Sequence, residues 1–438
     1  MDNSSKPHGV LVFSPGIGHL VCDLELGNRL AADHNLHVTF FVVVETHSSV
    51  GESELVQIAR TWKLLDIIEL PPVDISGQLQ PNNTPIFTRL TAVMCEIIPT
   101  LRSVIPALKL SPTALIMNFI CSSAWAHSLI LYAHVLDKEI KGDYVAQKES
   151  LRLPGCMPVR PEDLLDLMKD RTNQEYNVFL QTGLKMRETA GFLVNTWEDL
   201  EATTLKALRE EECYGFVPVY PIGPLFRPVR SSSSRNGLLD WLDKQPVKSV
   251  FYIAFGNSGP EVLSAQQITE MAWGLELSQQ RFIWVLCPPS KKDELPDGFL
   301  ARTHNLGLVV TQWAPQLEIL GHPSTGGFLS HCGWNSSLES ILNGVPMIAW
   351  PLYAEQKMNA AIPTEELGVA VEEIEMMVRK VIIADNLDGK AIRTKVKELQ
   401  NSGKKAWTEG GSSFNALSQL AKQCKMNSQA QRHKLKAP

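Results

Sequence analysis

Residues 327–350 read GFLSHCGWNSSLESILNGVPMIAW, and this stretch predicts a strand, a helix and a second strand in direct succession. The strand GFLSHC ends at Gly333, which we expect to allow the turn, and the helix begins with WNSSLES. The second strand, VPMIAW, is apolar on both faces, as buried parallel strands are. The stretch therefore favours a parallel, doubly wound sheet.

The same alternation runs along the rest of the chain. Helical stretches separate the strand-like runs. In one of them a single face carries Leu20, Leu24, Gly27 and Ala31. The proline, serine and glycine-rich segment FRPVRSSSSRNG, residues 226–237, interrupts the pattern as an exposed linker does. We predict an α/β protein with two Rossmann-like domains, residues 1–226 and 238–438, which face each other across a cleft and are joined by a linker over 227–237.

Composition narrows the functions that this chain can have. It has 438 residues, 44% of them hydrophobic and 20% charged, and a net charge of −6, which does not favour nucleic acid or anionic lipid as a partner. The run over residues 38–44 is too short to span a bilayer, so we expect no membrane span. The eight cysteines lack the spacing of a disulfide framework or a zinc site. We therefore expect a monomer in the reducing cytosol that holds no metal.

Two glycine-containing loops follow predicted strands. In FSPGIGHL, His19 follows Gly16 and Gly18. Three roles are open for it: a packed core residue, part of a phosphate-binding loop, or a catalytic base. The loop lacks the third glycine of the dinucleotide fingerprint, which argues against a dehydrogenase. In FYIAFGNSGP, residues 251–260, the loop is either a phosphate cradle or an ordinary turn.

The start of the helix WNSSLES offers a site for an anion. Unpaired backbone amides and the helix dipole favour phosphate there, and His331 directly before it can donate a further hydrogen bond. Ser336 and Glu339 have the spacing of a capping box, so Glu339 either caps the helix or accepts hydrogen bonds from ribose hydroxyls.

Nearby aromatic and polar residues extend this candidate site. Trp313 and Trp334 either stack on a ligand or belong to the core. Glu355 and Gln356 either bind a polyhydroxylated ring or are solvated. Together these residues indicate a ligand that resembles a nucleotide sugar.

The 44 residues from Trp313 to Gln356, WAPQLEILGHPSTGGFLSHCGWNSSLESILNGVPMIAWPLYAEQ, resemble the signature box of plant UDP-dependent glycosyltransferases of family 1. The segments SPGIGHL, VYPIGPL and WLDKQPVKSVFYIAFG extend the resemblance over most of the chain, and the details look closest to the hydroquinone (arbutin synthase) subgroup. The resemblance implies the GT-B fold and inverting transfer of glucose from UDP-glucose to a small phenolic acceptor, without a resident cofactor.

The resemblance also implies a role for each residue of the site. His19 would be the general base, and Gly18 and Ala354 would contact the acceptor. The donor would be held by Trp313, Ala314 and Gln316 at uracil, Glu339 at ribose, Asn257, His331, Asn335 and Ser336 at the diphosphate, and Trp334, Glu355, Gln356 and Ser123 at the sugar.

This chain departs from the family in its N-terminal half. Asn118 stands where the family has an aspartate that supports the histidine, and one helix and one strand are missing after Ile120. Asp23, four residues after His19 on the same helix, is a hypothetical substitute for the lost carboxylate. The alternative function is therefore a degenerate or shortened paralogue that binds UDP-sugar with little or no turnover.

Overall fold

The computed structural model describes residues 7–12, 16–43, 56–57, 59–63, 65–74, 86–108, 115–226, 237–256, 263–312, 314–367, 370–371 and 387–436. The chain divides into two compact units, which we call unit 1, Met1–Arg227 with Lys405–Pro438, and unit 2, Pro228–Lys404. The predicted linker, apart from Gly237, lies outside the described residues.

Unit 1 contains two short parallel sheets. Its strands are β1 (His8–Val12), β2 (His37–Val42), β3 (Leu65–Glu69), β4 (Met117–Ile120), β5 (Gly191–Val194) and β6 (Val219–Pro221). The α-helices in its N-terminal part are α1 (Ile17–Ala32), α2 (Ile86–Val104), α3 (Ala124–Glu139), α4 (Gln174–Met186) and α5 (Ala202–Glu210). The sheets have the orders β1-β2-β3 and β4-β5-β6.

The interruption between these two sheets lies at the edge of β4 that faces away from β5. Strand β4 pairs directly with β5, with Asn118 opposite Phe192, and no ladder joins β1 to β4 among the described residues. All residues of β1 and β4 are only half-buried, whereas those of β5 are buried. Only residues 121–123 separate β4 from α3. The described residues between β4 and β5 contain no further strand, as the predicted loss after Ile120 requires, and β5 takes the place beside β4. The strand edges of β1 and β4 that lack a ladder are on the other side of β4.

Helix α1 packs against both sheets. Its residues Leu20, Leu24 and Ala31 are buried, which confirms the predicted apolar face. The same core contains Leu193 of β5 and Tyr220 of β6. Side-chain packing therefore holds the two sheets together where backbone hydrogen bonds do not.

Helix α2 is distinguished by being both long and apolar. The segment Thr88–Leu108 is long and apolar enough to cross a membrane, and no other described helix is. Only 11% of its most apolar window is buried, where Val93 and Ile97 pack into a core with Phe41. The expected absence of a membrane span stays a prediction.

Unit 2 is one six-stranded parallel sheet with helices between its strands. The strands are β7 (Val250–Ala254), β8 (Arg281–Val285), β9 (Gly307–Val310), β10 (Thr325–Ser330), β11 (Met347–Ala349) and β12 (Ala370–Val371). The helices are α6 (Gly237–Leu242), α7 (Ala265–Ser278), α8 (Phe299–Arg302), α9 (Gln316–Gly321), α10 (Trp334–Asn343) and α11 (Gln356–Ala361). Both faces of the sheet are covered, since Phe251 and Ile253 lie in one core and Val250 and Tyr252 in another.

The order of these strands defines where a ligand fits. The sheet runs β12-β11-β10-β7-β8-β9, so the chain winds first to one side of β7 and then to the other. Ser330 pairs with both Ala254 and Ala349, so β7, β10 and β11 end level with one another. Doubly wound sheets bind ligands beyond the strand ends at such a switch point. The predicted α/β, doubly wound architecture is confirmed for unit 2.

The chain ends with two long helices, α12 (Leu387–Ala406) and α13 (Ser412–Lys436). The sequence places residues 405–438 in the second domain, whereas their contacts assign them to unit 1. Leu417 and Leu420 of α13 are buried in the core that contains Ile222. The indole Nε1 of Trp407 donates to the carbonyl of Pro224 at 2.9 Å. Burial of this apolar face in the core of unit 1 accounts for the difference.

Candidate active site

The turn between β10 and α10 differs from the one expected. Cys332 has the left-handed backbone conformation, with φ of 62°, whereas Gly333 has φ of −58° and ψ of 138°. Any residue can adopt the angles of Gly333. The prediction that Gly333 allows the turn is therefore wrong, because the preceding cysteine makes it.

His331 fills a narrow slot at the switch point. A Cβ atom added to Gly333 would lie 2.5 Å from its Nε2 atom, and one added to Gly256, after β7, would lie 2.7 Å away. Burial lowers the pKa of His331 to about 4, although a hydrogen bond from the imidazole to the backbone of Ala254 opposes this shift. The imidazole is therefore neutral at pH 7, and its Nδ1 has no hydrogen-bond partner in the described part of the chain.

Helix α10 is not closed by a capping box. It begins at Trp334, and its N-cap residue, Gly333, has no side chain to cap it. Ser336 and Glu339 lie inside the helix, so the predicted capping pair is wrong. The helix start keeps the positive dipole end that suits an anion.

Gln316 joins the two residues of that pair instead. Its Nε2 atom donates to Glu339 Oε2 at 2.8 Å and to Ser336 Oγ at 3.1 Å. Burial raises the pKa of Glu339 to about 7, with Glu318 adding to the shift and Gln316 opposing it. Glu339 is thus an acceptor held in place within the site, as binding to ribose hydroxyls would require.

The loop after β11 fixes the orientation of Gln356. Its Oε1 accepts hydrogen bonds from the backbone amides of Leu352 at 3.0 Å and Tyr353 at 3.1 Å. Because the oxygen is engaged by the backbone, the side-chain NH₂ group is the part that can donate to a ligand. The carboxylate of Glu355 accepts a hydrogen bond from the side-chain NH₂ group of Asn359 at 3.4 Å. Ala354, the residue before Glu355, has a positive φ of 54°.

The other predicted donor residues fall into two groups. Ala314 and Trp334 are buried, and Asn335 is half-buried in the first turn of α10. Trp313 and Asn257 lie outside the described residues, so their contacts with the base and the phosphate stay predictions.

In unit 1, His19 lies in the first turn of α1. Its side chain is half-buried, and the neighbouring Gly18 is exposed. Asn118 is the second residue of β4, and its Oδ1 is shielded from solvent without a hydrogen-bond partner in the described chain. The one hydrogen bond through which this amide could support the imidazole, from the ring N–H to Oδ1, is therefore not formed.

Asp23 lies one turn after His19 and is buried, with 2% of its surface exposed. Burial raises the pKa of its carboxyl well above the usual range, and the Cys121 thiol adds to this shift. The neutral form is thereby favoured, and a neutral carboxyl supplies no charge to an imidazolium. Its role as a substitute stays a hypothesis.

Ser123 forms the N-cap of α3, and its hydroxyl accepts from the amide of Ala126 at 3.1 Å. The Glu201 carboxylate accepts from the next amides, those of Ala124 at 3.0 Å and Trp125 at 3.1 Å. The sequence did not reveal this second cap, because Glu201 is 77 residues away from Ala124. The described residues contain no cluster of three or more side chains that could hold a metal ion.

Comparison with known proteins identifies the class. The family described as "UDP-glucoronosyl and UDP-glucosyl transferase" matches residues 241–390. Anthocyanidin 3-O-glucosyltransferase 5 of Manihot esculenta is 46% identical over 98% of both chains. Hydroquinone glucosyltransferase of Rauvolfia serpentina is 38% identical over 95% of this chain and 97% of its own. The crystal structure of TcCGT1 in complex with UDP covers 97% of this chain and 100% of its own, with a TM-score of 0.88 and 41% identity.

The chain belongs to the plant family 1 UDP-glycosyltransferases. Its fold is GT-B, and the protein is a glycosyltransferase, as the signature box predicts. The alignment with the Manihot esculenta protein extends over 483 positions, whereas this chain has 438 residues. That relative therefore carries segments that this chain lacks.

Proposed function

We propose that the protein transfers glucose from UDP-glucose to the hydroxyl of a small phenolic acceptor, with inversion at the anomeric carbon. The observation that carries this proposal is the hydrogen-bond network from Gln316 of α9 to Glu339 and Ser336 of α10. His331 lies just before α10 at the switch point. The similarity to a hydroquinone glucosyltransferase supports a phenolic acceptor.

In the proposed reaction His19 takes the proton of the acceptor hydroxyl. The acceptor oxygen forms a bond to the anomeric carbon while the bond from that carbon to the β-phosphate oxygen breaks, and UDP leaves with the electron pair. The dipole of α10 and a hydrogen bond from His331 would stabilise the charge on UDP. A phenol needs only modest help from a base, since its proton leaves more easily than that of an alcohol.

The remaining residues would hold the two substrates in line. Glu339 would bind the ribose hydroxyls, and the NH₂ group of Gln356 would donate to a sugar hydroxyl. No metal is required in this scheme. The other donor contacts proposed are Trp313, Ala314 and Gln316 at the base, Asn257, Asn335 and Ser336 at the diphosphate, and Trp334, Glu355 and Ser123 at the sugar.

A second candidate function rests on unit 1. Among the residues that the structure describes, the Oδ1 atom of Asn118 has no hydrogen-bond partner and no ladder joins β1 to β4. Both features favour a protein that binds UDP-sugar but turns it over slowly. An Asp-to-Asn change at the comparable position of serine proteases lowers turnover by about 10⁴.

One experiment separates the two functions. Purified wild type, His19→Ala and Asn118→Asp would be incubated with UDP-glucose and hydroquinone, and glucoside and UDP would be measured by chromatography. Product from wild type that disappears in His19→Ala supports the transferase with a histidine base. No product from any variant, together with measurable UDP binding, supports the binding-only function, and loss of UDP binding would contradict both.

We also propose that the protein acts as a monomer in the cytosol. All eight cysteines lie in the described part of the chain, and none of them forms a disulfide, which fits a reducing compartment.

A further inference from the structure

The tip of the His331 side chain is enclosed by two backbone segments that carry no side chain. Gly256 lies just after β7, and Gly333 lies just before α10. The imidazole is therefore placed between the end of a strand and the start of a helix. A Cβ atom on either glycine would overlap the imidazole, at 2.7 Å and 2.5 Å from Nε2. Real Cβ atoms do not approach a neighbour so closely.

Backbone conformation explains only one of these two glycines. Gly256 has φ of 75°, where a side chain is strained whatever the space around it. Gly333 has φ of −58° and ψ of 138°, which alanine adopts without strain. The absence of a side chain at Gly333 is therefore required by the space that His331 occupies and by no feature of the local backbone.

The atom that would have to move is the far end of a side chain. An alanine at position 333 would press on Nε2, Cε1 and Cδ2 of the imidazole, all of which turn with the His331 side chain. Rotation of that ring would make room for the extra methyl group. The rotation would change where Nε2 points.

We infer that Gly333, together with Gly256, is a positioning residue for donor binding, because its missing side chain keeps the His331 imidazole in the slot at the switch point. This inference rests on the proposed function, in which His331 hydrogen-bonds the diphosphate. It gives Gly333 a role through His331, separate from turn formation and from helix capping.

The test is a double-mutant cycle on UDP binding, measured by calorimetry with the full chain. His331→Ala alone is expected to weaken UDP binding about tenfold, the effect of losing one hydrogen bond to a charged group. Gly333→Ala alone is expected to weaken it by a comparable factor. In the double variant the effect of Gly333→Ala should fall to less than twofold, because no imidazole remains to be displaced.

A matched control is Gly274→Ala within α7. A Cβ atom there would meet nothing within 4 Å, and the helix favours alanine, so UDP affinity should stay unchanged and the melting temperature should rise slightly. Circular dichroism of Gly333→Ala should show a folded protein with a melting temperature within a few degrees of that of wild type.

The outcomes distinguish the inference from the function on which it rests. If His331→Ala leaves UDP affinity unchanged, the proposed contact with the diphosphate is wrong. If His331→Ala weakens binding while Gly333→Ala does not, the contact stands and the positioning role is overturned. If Gly333→Ala weakens binding equally with and without His331, the glycine acts independently of the imidazole and the inference is also overturned.

Discussion

The side-chain amide of Gln316 lies 2.8 Å from the carboxylate of Glu339, across the gap between α9 and α10. The two residues are 23 positions apart in the chain, and their contact joins the segment that follows β9 to the helix that follows β10. Gln316, which the family resemblance assigns to uracil, thus also orients Glu339, which the resemblance assigns to the ribose.

Replacing Gln316 by alanine should weaken UDP-glucose binding about tenfold, since Glu339 and Ser336 would both lose the donor that orients them. Titration calorimetry would measure this loss. Gln280→Ala, in the same unit and outside the site, provides the matched control and should leave affinity unchanged. An unaltered affinity in Gln316→Ala would show that the carboxylate needs no such support.

The affinity for UDP-glucose should depend on pH through Glu339. Its pKa is raised to about 7, so below pH 7 the group is protonated in the unbound protein and must lose that proton to accept two ribose hydroxyls. Affinity should therefore fall as pH decreases from 7, by up to about tenfold per pH unit, and level off above 7. Calorimetry between pH 5.5 and 8.5 measures it, because the charge of the UDP-glucose diphosphate is constant there.

In Glu339→Gln the same titration should be flat, with weaker binding at high pH. His331 does not interfere, because its pKa of about 4 lies below the range. An equal slope in Glu339→Gln and wild type would place the titrating group elsewhere.

Acid should destabilise the fold through buried His127. Burial lowers its pKa to about 4, and its Nε2 has no hydrogen-bond partner among the described residues. Below the ordinary pKa of 6.5, His127 binds a proton in the unfolded chain but not in the folded chain. The contribution of neutral His127 to the free energy of unfolding is therefore complete above pH 6.5 and is lost as the pH falls towards 4. The loss per pH unit is about 1.4 kcal/mol for this group.

Urea unfolding of wild type and His127→Gln at pH 7 and pH 5 would measure this difference. The variant should be less stable at pH 7 and show a smaller drop between the two pH values. The exposed His304, replaced by Gln, serves as the control and should leave the drop unchanged. A drop of full size in His127→Gln would exclude this histidine as the source.

Glu201→Gln should destabilise unit 1 by about 2 kcal/mol, because one of the two buried amides at the start of α3 loses its acceptor. Glu198 offers a matched comparison three residues away. Its carboxylate pairs with Arg209 at 2.7 Å on the surface, so Glu198→Gln should change stability by less than about 1 kcal/mol. Equal effects of the two substitutions in urea unfolding would contradict the assigned cap.

Apolar runs were enough to predict five of the six strands of unit 2, and β12 (Ala370–Val371) was missed because two residues form no recognisable run. Successive residues of β7, such as Phe251 and Tyr252, fill two different cores, so the whole strand is apolar in sequence. Once the strands are predicted, their ends are also predicted, and His331 lies directly after one of them. These features are local in sequence, which is why the sequence alone reveals them.

The errors concern relationships between distant residues. A glycine before a helix usually signals a turn, and only the imidazole of His331 against Gly333 reveals a different requirement. Ser336 and Glu339 have the spacing of a cap, yet Gln316 bonds both. Likewise the apolar face of α13 is visible in the sequence, but the core that receives it is not.

The docking of α13 has a consequence for synthesis of the protein. A ribosome makes residues in order, so unit 2 is complete before Leu417 and Leu420 exist, whereas the core of unit 1 needs them. We expect the first unit to leave the ribosome with its core still open and its half-exposed strands β1 and β4 accessible to other chains. The part of the protein that is made first is thus the part that finishes folding last.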